Sequence, residues 1–236
     1  MIPSLLDWFT DPANWSGADG IPTRLAEHVG YTALAVVLAA VVAIPSGLWV
    51  GHTGRARWLV SVANSVRAVP TLGLLFVVSL WLGPMFASDL AFLVPSIVVL
   101  AILAVPPILA GTYAGIEAVD PAARDAAKGV GMTGWQVVRQ VEVPNALPLL
   151  LSGIRSAVLQ VVATATIAAI VGLGGLGRFL IDGIALGDYP RAAGGAVLVA
   201  VLAVVLDGVI ALVQRRVVSP GLAPHGRGRA GRRGKD

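Results

Sequence analysis

Long apolar runs alternate with short polar joints along this chain, and the run lengths set the first expectation. Five of them, about 27–50, 58–82, 89–116, 149–171 and 192–213, are each long enough to form a helix that crosses a bilayer. At 1.5 Å of rise per residue, about 20 residues cover a hydrocarbon core of roughly 30 Å. One polar stretch breaks the rhythm. Residues 117–148, EAVDPAARDAAKGVGMTGWQVVRQVEVPNALP, put 32 positions between two runs, far more than a turn needs. The pattern therefore predicts an all-α integral membrane protein with about five transmembrane helices and one structured loop. An N-terminal arm, 1–26, precedes the membrane domain, 27–213, and a basic tail without fixed structure, 214–236, follows it.

Polar residues inside the runs refine this picture. The second run carries Asn64, Ser65, Arg67 and Pro70 in its first half. A charged side chain deep in lipid is costly, so Arg67 is expected near the basic face, snorkelling to it or pointing into the bundle. The third run holds Pro95, Pro106 and Pro107, each of which frees a carbonyl that a neighbouring helix or a water-lined path must satisfy. Interrupted helices of this kind point weakly to a transport pathway. Gln160, Thr164 and Thr166 lie inside the fourth run, where small and hydroxylated residues allow close helix packing. Asp207 in the fifth is expected to pair with Arg215 or Arg216 by snorkelling. The arm lacks a basic region before its apolar patch and carries Asp7, Asp11 and Asp19, so it does not read as a cleaved signal peptide. Trp8 and Trp15 suit either a lipid-interface anchor or an arm without structure.

Composition agrees with a membrane protein and excludes much else. Hydrophobic residues make up 56% and charged ones 13%, and the mean hydropathy is +0.83; a soluble domain carries about 25% charged residues. There is no Cys, and the three histidines, His28, His52 and His225, have no ligand spacing, so no metal or thiolate chemistry is expected. The pI near 10.1 does not imply nucleic acid, because seven of the seventeen basic residues lie in the last 22 positions, as a membrane-flanking tail. With five crossings, 51–57, 117–148 and the C-terminus share one side, which holds Arg55, Arg57, Arg124, Lys128, Arg139, Arg215 and Arg216. By the positive-inside rule that side is cytoplasmic, which puts the N-terminus outside and the C-terminus in the cytoplasm.

The loop has readable internal structure. Asp120 followed by Pro121 reads as an N-cap and first helical position. Gly129 and Gly131 are expected to stop that helix. Thr133 with Gln136 fits a capping box, and a second short helix should run from Gly134 until Pro144 ends it. Ala123, Ala126 and Ala127 give the first helix a nearly bare ridge, suited to entering a groove.

The spacing Asp125-Ala126-Ala127, three residues, Gly131, nine residues, Val141-x-Val143-Pro144 resembles the EAA signature of ATP-binding-cassette importer permeases, E-A-A, three residues, G, nine residues, I-x-L-P. Asp replaces Glu, and Val replaces Ile and Leu. The likeness extends over most of 24–213, through RAVPTLGLL, GTYAGIEAVDPAARDAAKGVGMTGWQ and GIRSAVLQVVATATIAAIVGLGGLG, and is greatest to the osmoprotectant branch for glycine betaine, carnitine, choline and proline. It implies a type I importer arrangement like that of methionine permeases. It also implies a coupling loop at Asp125, Ala126, Ala127, Gly131, Val141, Val143 and Pro144, and candidate gate or path positions at Pro70, Thr112, Tyr113, Gln160, Thr164, Gly174 and Gly175. Ala110-Gly111 stand where the resemblance leads one to expect an Asn before Thr112-Tyr113.

Implied partners are cytoplasmic cassette ATPase subunits, a second permease subunit, identical or paralogous, an extracytoplasmic substrate-binding protein and the lipid bilayer, with no nucleic acid. The chain lacks G-x-x-x-x-G-K-[ST], so ATP and Mg are expected on the ATPase; this chain is expected to bind no cofactor and catalyse nothing. Gly172-Leu173-Gly174-Gly175-Leu176-Gly177 fits G-x-G-x-x-G but follows a membrane run, not a strand, and reads as a flexible outer connector. No aromatic cage for a quaternary ammonium is evident, and one is expected on the binding protein. Two other functions stay open: a permease for methionine or another small nutrient, and a secondary transporter that needs no ATPase. An intramembrane enzyme lacks a plausible catalytic pair.

Overall fold

The computed structural model describes residues 2–218, so the basic cluster beyond Val218 lies outside the described residues. All regular structure in that range is helical. Four helices are long and apolar enough to cross a membrane, and a bent pair makes a fifth candidate.

Helix α1 (Ile2–Thr10) opens the chain, and α2 (Ile21–Thr53) is the first spanning helix, ended by Gly54 at φ +67°. The arm does not reach for lipid through Trp8. That indole is buried edge-on against Phe179, 5.4 Å between ring centres, and a Cβ on Gly194 would lie 2.3 Å from it. Burial of a large ring outweighs interfacial anchoring. Trp15 is exposed, with its Nε1–H donating to the Phe9 carbonyl at 2.7 Å.

The second apolar run is not one straight helix. It splits into α3 (Trp58–Ser65), which ends in a tight turn at Val66–Ala68, and α4 (Thr71–Leu82), and the two arms meet at 94°. Pro70 sits in the break with extended ψ, as the residue ahead of a new helix does. Helix α5 (Leu90–Glu117) is continuous despite three prolines. Pro107 leaves the carbonyl of Leu103 without its helical donor, and Gln160 Nε2 of the fourth span supplies one at 3.0 Å.

The loop contains α6 (Pro121–Gly129) and α7 (Gly134–Val137), and here Pro144 fails to stop the helix. One wide π turn, Val138–Glu142, follows α7, with the Val143 N–H bonded to the Val138 carbonyl; α8 (Val143–Ala168) then starts afresh. Pro144 therefore falls in the first turn of a helical segment, where its missing donor is not needed. The fourth span and the second loop helix form one continuous rod, Gly134–Val171. The connector after it is also helical: α9 (Gly177–Leu186) precedes α10 (Tyr189–Val217).

Helices α2, α5 and α8 form the centre, around buried Ala35, Ala39, Ala43, Leu100, Ile108, Ala157 and Ala165. They approach closely because the contact positions lack side chains. A Cβ on Gly153 would lie 2.6 Å from the Pro107 carbonyl oxygen, and one on Gly111 2.7 Å from that of Leu149. This explains why Gly111, and no amide side chain, precedes Thr112: no Cβ fits there. Helix α10 is nearly unburied, and Asp207 fastens it. Asp207 does not pair with Arg215 or Arg216; both its oxygens bind Arg155 of α8 at 2.5 Å. A membrane carboxylate gains more from a fixed two-point partner across the helix interface than from snorkelling past its own helix end.

Candidate coupling site and transport path

Both loop helices start on the caps that their sequence predicts, though neither ends as expected. Asp120 Oδ1 accepts from the Ala122 N–H at 2.9 Å, and Pro121 follows it. Thr133 and Gln136 form a reciprocal capping box, with the Thr133 N–H donating to Gln136 Oε1 at 2.7 Å. The elbow depends on Gly131 alone. Its φ is +88°, a left-handed turn that favours glycine, and Met132 N–H closes it onto the Ala127 carbonyl at 3.1 Å. Gly129 is an ordinary helical residue.

The alanines do not form a single outward ridge. Ala123 and Ala126 are exposed beside Asp125, whereas Ala127 turns inward and is buried. Two exposed apolar residues of the loop escaped the sequence reading: Val130, at 77% exposure one turn beyond Ala126, and Trp135, at 67%, which lines a groove with Pro45, Leu48 and Trp49 of α2. Only their placement in a polar loop could have drawn attention to them. Of the remaining signature residues, Pro144 is exposed, while Val141 and Val143 are half-buried in the rod.

Between those two valines stands Glu142, buried to 1% exposure, and it joins four elements. His52 Nδ1, near the end of α2, lies 2.8 Å from Oε2. Arg124 Nε, on α6, sits 3.0 Å from Oε1 as an ion pair whose N–H is not aimed at that oxygen. The Arg124 guanidinium also donates to the Ile116 carbonyl at the end of α5. Burial takes the carboxylate out of water, and the Arg124 guanidinium together with the His52 ring nitrogen are what make that burial tolerable. Arg124 immediately precedes Asp125, and displacement of α6 is thereby tied to three spanning helices. An acidic residue between apolar ones, V-E-V-P, was the available sequence signal.

The candidate path residues do not gather at one place. Thr112 is buried, its Oγ1 donating to the Ile108 carbonyl at 2.8 Å, and a Cβ on Gly47 would lie 2.7 Å from it, so it fills a helix crossing. Tyr113 Oη donates to Glu117 Oε1 at 2.8 Å, near the loop. Thr164 is buried and bonds back to the Gln160 carbonyl at 2.7 Å. Gly174 and Gly175 lie at the far end, where Glu27 Oε2 accepts from the Gly175 N–H at 2.8 Å and from Arg24 Nη1 at 2.9 Å. The glycine-rich connector is thus pinned to the start of α2. A Cβ on Gly174 would lie 2.5 Å from that Glu27 oxygen. Between elements, Gln160 and the break at Pro70 come together, through Arg67, whose Nη2 lies 3.4 Å from Gln160 Oε1.

Known proteins agree with this architecture. Residues 35–219 match the family model for the binding-protein-dependent transport system inner membrane component. The glycine betaine/carnitine/choline transport system permease protein of Bacillus subtilis is 36% identical over 202 residues, 84% of this chain and 89% of that protein. The choline transport system permease protein of the same organism is 35% identical, over 83% of this chain and 88% of that protein. The osmoprotectant import permease protein OsmW of Salmonella typhimurium is 34% identical, over 80% and 87% respectively. Among solved structures, an inward-facing form of the MetNI methionine ABC transporter superimposes with a TM-score of 0.72 at 22% identity, covering 89% of this chain and 100% of that one. That likeness shows a shared type I importer fold. From the apolar helices, the fold and the matches together, this multi-pass membrane chain belongs to the family of binding-protein-dependent transport system inner membrane components.

Proposed function

We propose that the chain is the permease subunit of an ATP-binding-cassette importer that moves an osmoprotectant of the glycine betaine, choline, carnitine or proline type into the cytoplasm. The observation that carries this reading is the agreement of relatives in two organisms. Proteins named for choline, carnitine, glycine betaine or osmoprotectant transport match it over 80–84% of its length. The excess of basic residues on the loop side supports a cytoplasmic loop. In this reading the tip formed by Asp125, Ala126 and Val130 docks on a separate ATPase subunit, where ATP and Mg are bound and hydrolysed. The Glu142 junction then passes the movement of α6 to α2, α5 and α8. Two permease subunits enclose the path and open it alternately to each side, and an extracytoplasmic binding protein delivers the substrate.

The test is uptake of labelled glycine betaine at high osmolarity by cells that lack their own osmolyte importers, with the cognate ATPase and binding protein supplied. Uptake that appears only when this chain is also present supports the proposal. Equal uptake with and without the chain refutes it.

A further inference from the structure

Arg67 stands where a charge should not be. It lies in the break between α3 and α4, is exposed, and reaches Gln160 Oε1 at 3.4 Å. Gln160 is the midpoint of the apolar run 149–171, and its amide bonds the carbonyl of Leu103, itself at the middle of Leu90–Glu117. The guanidinium is therefore held near the level of the bilayer centre, and not at the basic face. Among the described residues it has that one neutral partner and no carboxylate within ion-pair distance. Exposed Asn64 and Ser65 precede it, so the break presents a small polar patch at membrane depth.

A lipid-facing arginine at that depth would cost several kcal/mol, so the patch belongs on a water-filled path, where an ionisable group marks a ligand or ion route. Arginine matches a carboxylate with two parallel N–H donors. Gln160 holds the guanidinium through a single 3.4 Å contact, which leaves donors free for a ligand. The first-turn N–H groups of α4, immediately after Pro70, add a second positive element to the same break.

We propose that Arg67, oriented by Gln160, is the station in the path that receives the carboxylate of a zwitterionic osmolyte and so sets preference for carboxylated over carboxylate-free substrates. This rests on the osmoprotectant reading above. The test compares labelled glycine betaine with labelled choline, which shares the quaternary ammonium and lacks the carboxylate, in cells expressing the complete importer. For Arg67→Gln, glycine betaine uptake should fall about tenfold, the loss of one charge-assisted contact, while choline uptake stays within about twofold. Arg67→Lys should retain part of the preference. An equal fall for both substrates, no fall for either, or a wild type that carries choline alone overturns the assignment and leaves the osmolyte reading standing. Wild-type uptake of neither substrate overturns both. If Arg67→Gln no longer co-purifies with the ATPase, Arg67→Lys decides the matter: a retained betaine preference supports the assignment, and its loss refutes it.

Discussion

At the residue scale, Glu142 is the side chain on which the loop depends. Removing one member of a buried ion pair strands the others in a low-dielectric site, at a cost on the order of 3 kcal/mol. Glu142→Ala leaves the half-buried Arg124 guanidinium without its counter-charge and His52 Nδ1 without its partner. Thermal unfolding of the detergent-solubilised protein should shift clearly downward, and Glu142→Gln, which keeps an acceptor, should shift less. Unchanged unfolding in both variants would show that the junction contributes nothing. Gly131 has a different kind of constraint. Nothing lies within 4 Å of the position its Cβ would take, so Gly131→Ala meets no clash, only a left-handed φ of +88°. Strain of about 1–2 kcal/mol should therefore alter the angle between α6 and α7 and weaken ATPase association without blocking membrane insertion. Co-purification at wild-type level would contradict that.

At the element scale, helix α10 has little buried surface and is attached to α8 by Arg155 with Asp207, and by Gln214 Nε2, which donates to the Pro148 carbonyl at 3.0 Å. Asp207→Ala should loosen α10, visible as faster proteolysis between α9 and α10. The exchange Arg155→Asp with Asp207→Arg should restore protection, whereas failure of the exchange to do so would mean the pair is not the fastening. Legibility in the sequence also divides by element. Long apolar runs and local caps, such as Asp120-Pro121 and Thr133 with Gln136, depend on neighbours in the chain and could be read directly. The 94° break, the wide turn that admits Pro144 and the partner of Asp207 depend on contacts between distant segments. Periodicity carries no record of those contacts. For the same reason the loop signature could be matched, while its division into exposed Asp125 and Ala126 and buried Ala127 could not.

At the scale of the whole molecule, small residues let α2, α5 and α8 pack as one body, and the Glu142 junction ties the loop to all three. Helix α6 is thereby linked, through Glu142, to the span that carries Gln160, next to the break at Arg67. The central claim is that the α6 tip is the surface that meets the ATPase. The chain contains no cysteine, so Ala126→Cys introduces a single thiol at that tip and Ala13→Cys a single exposed thiol on the N-terminal arm. Treating each assembled importer with a short thiol-to-amine crosslinker should join the Ala126 variant to the ATPase and leave the Ala13 variant free. A crosslink to the ATPase from position 13, or none from position 126 in an intact complex, would contradict the account.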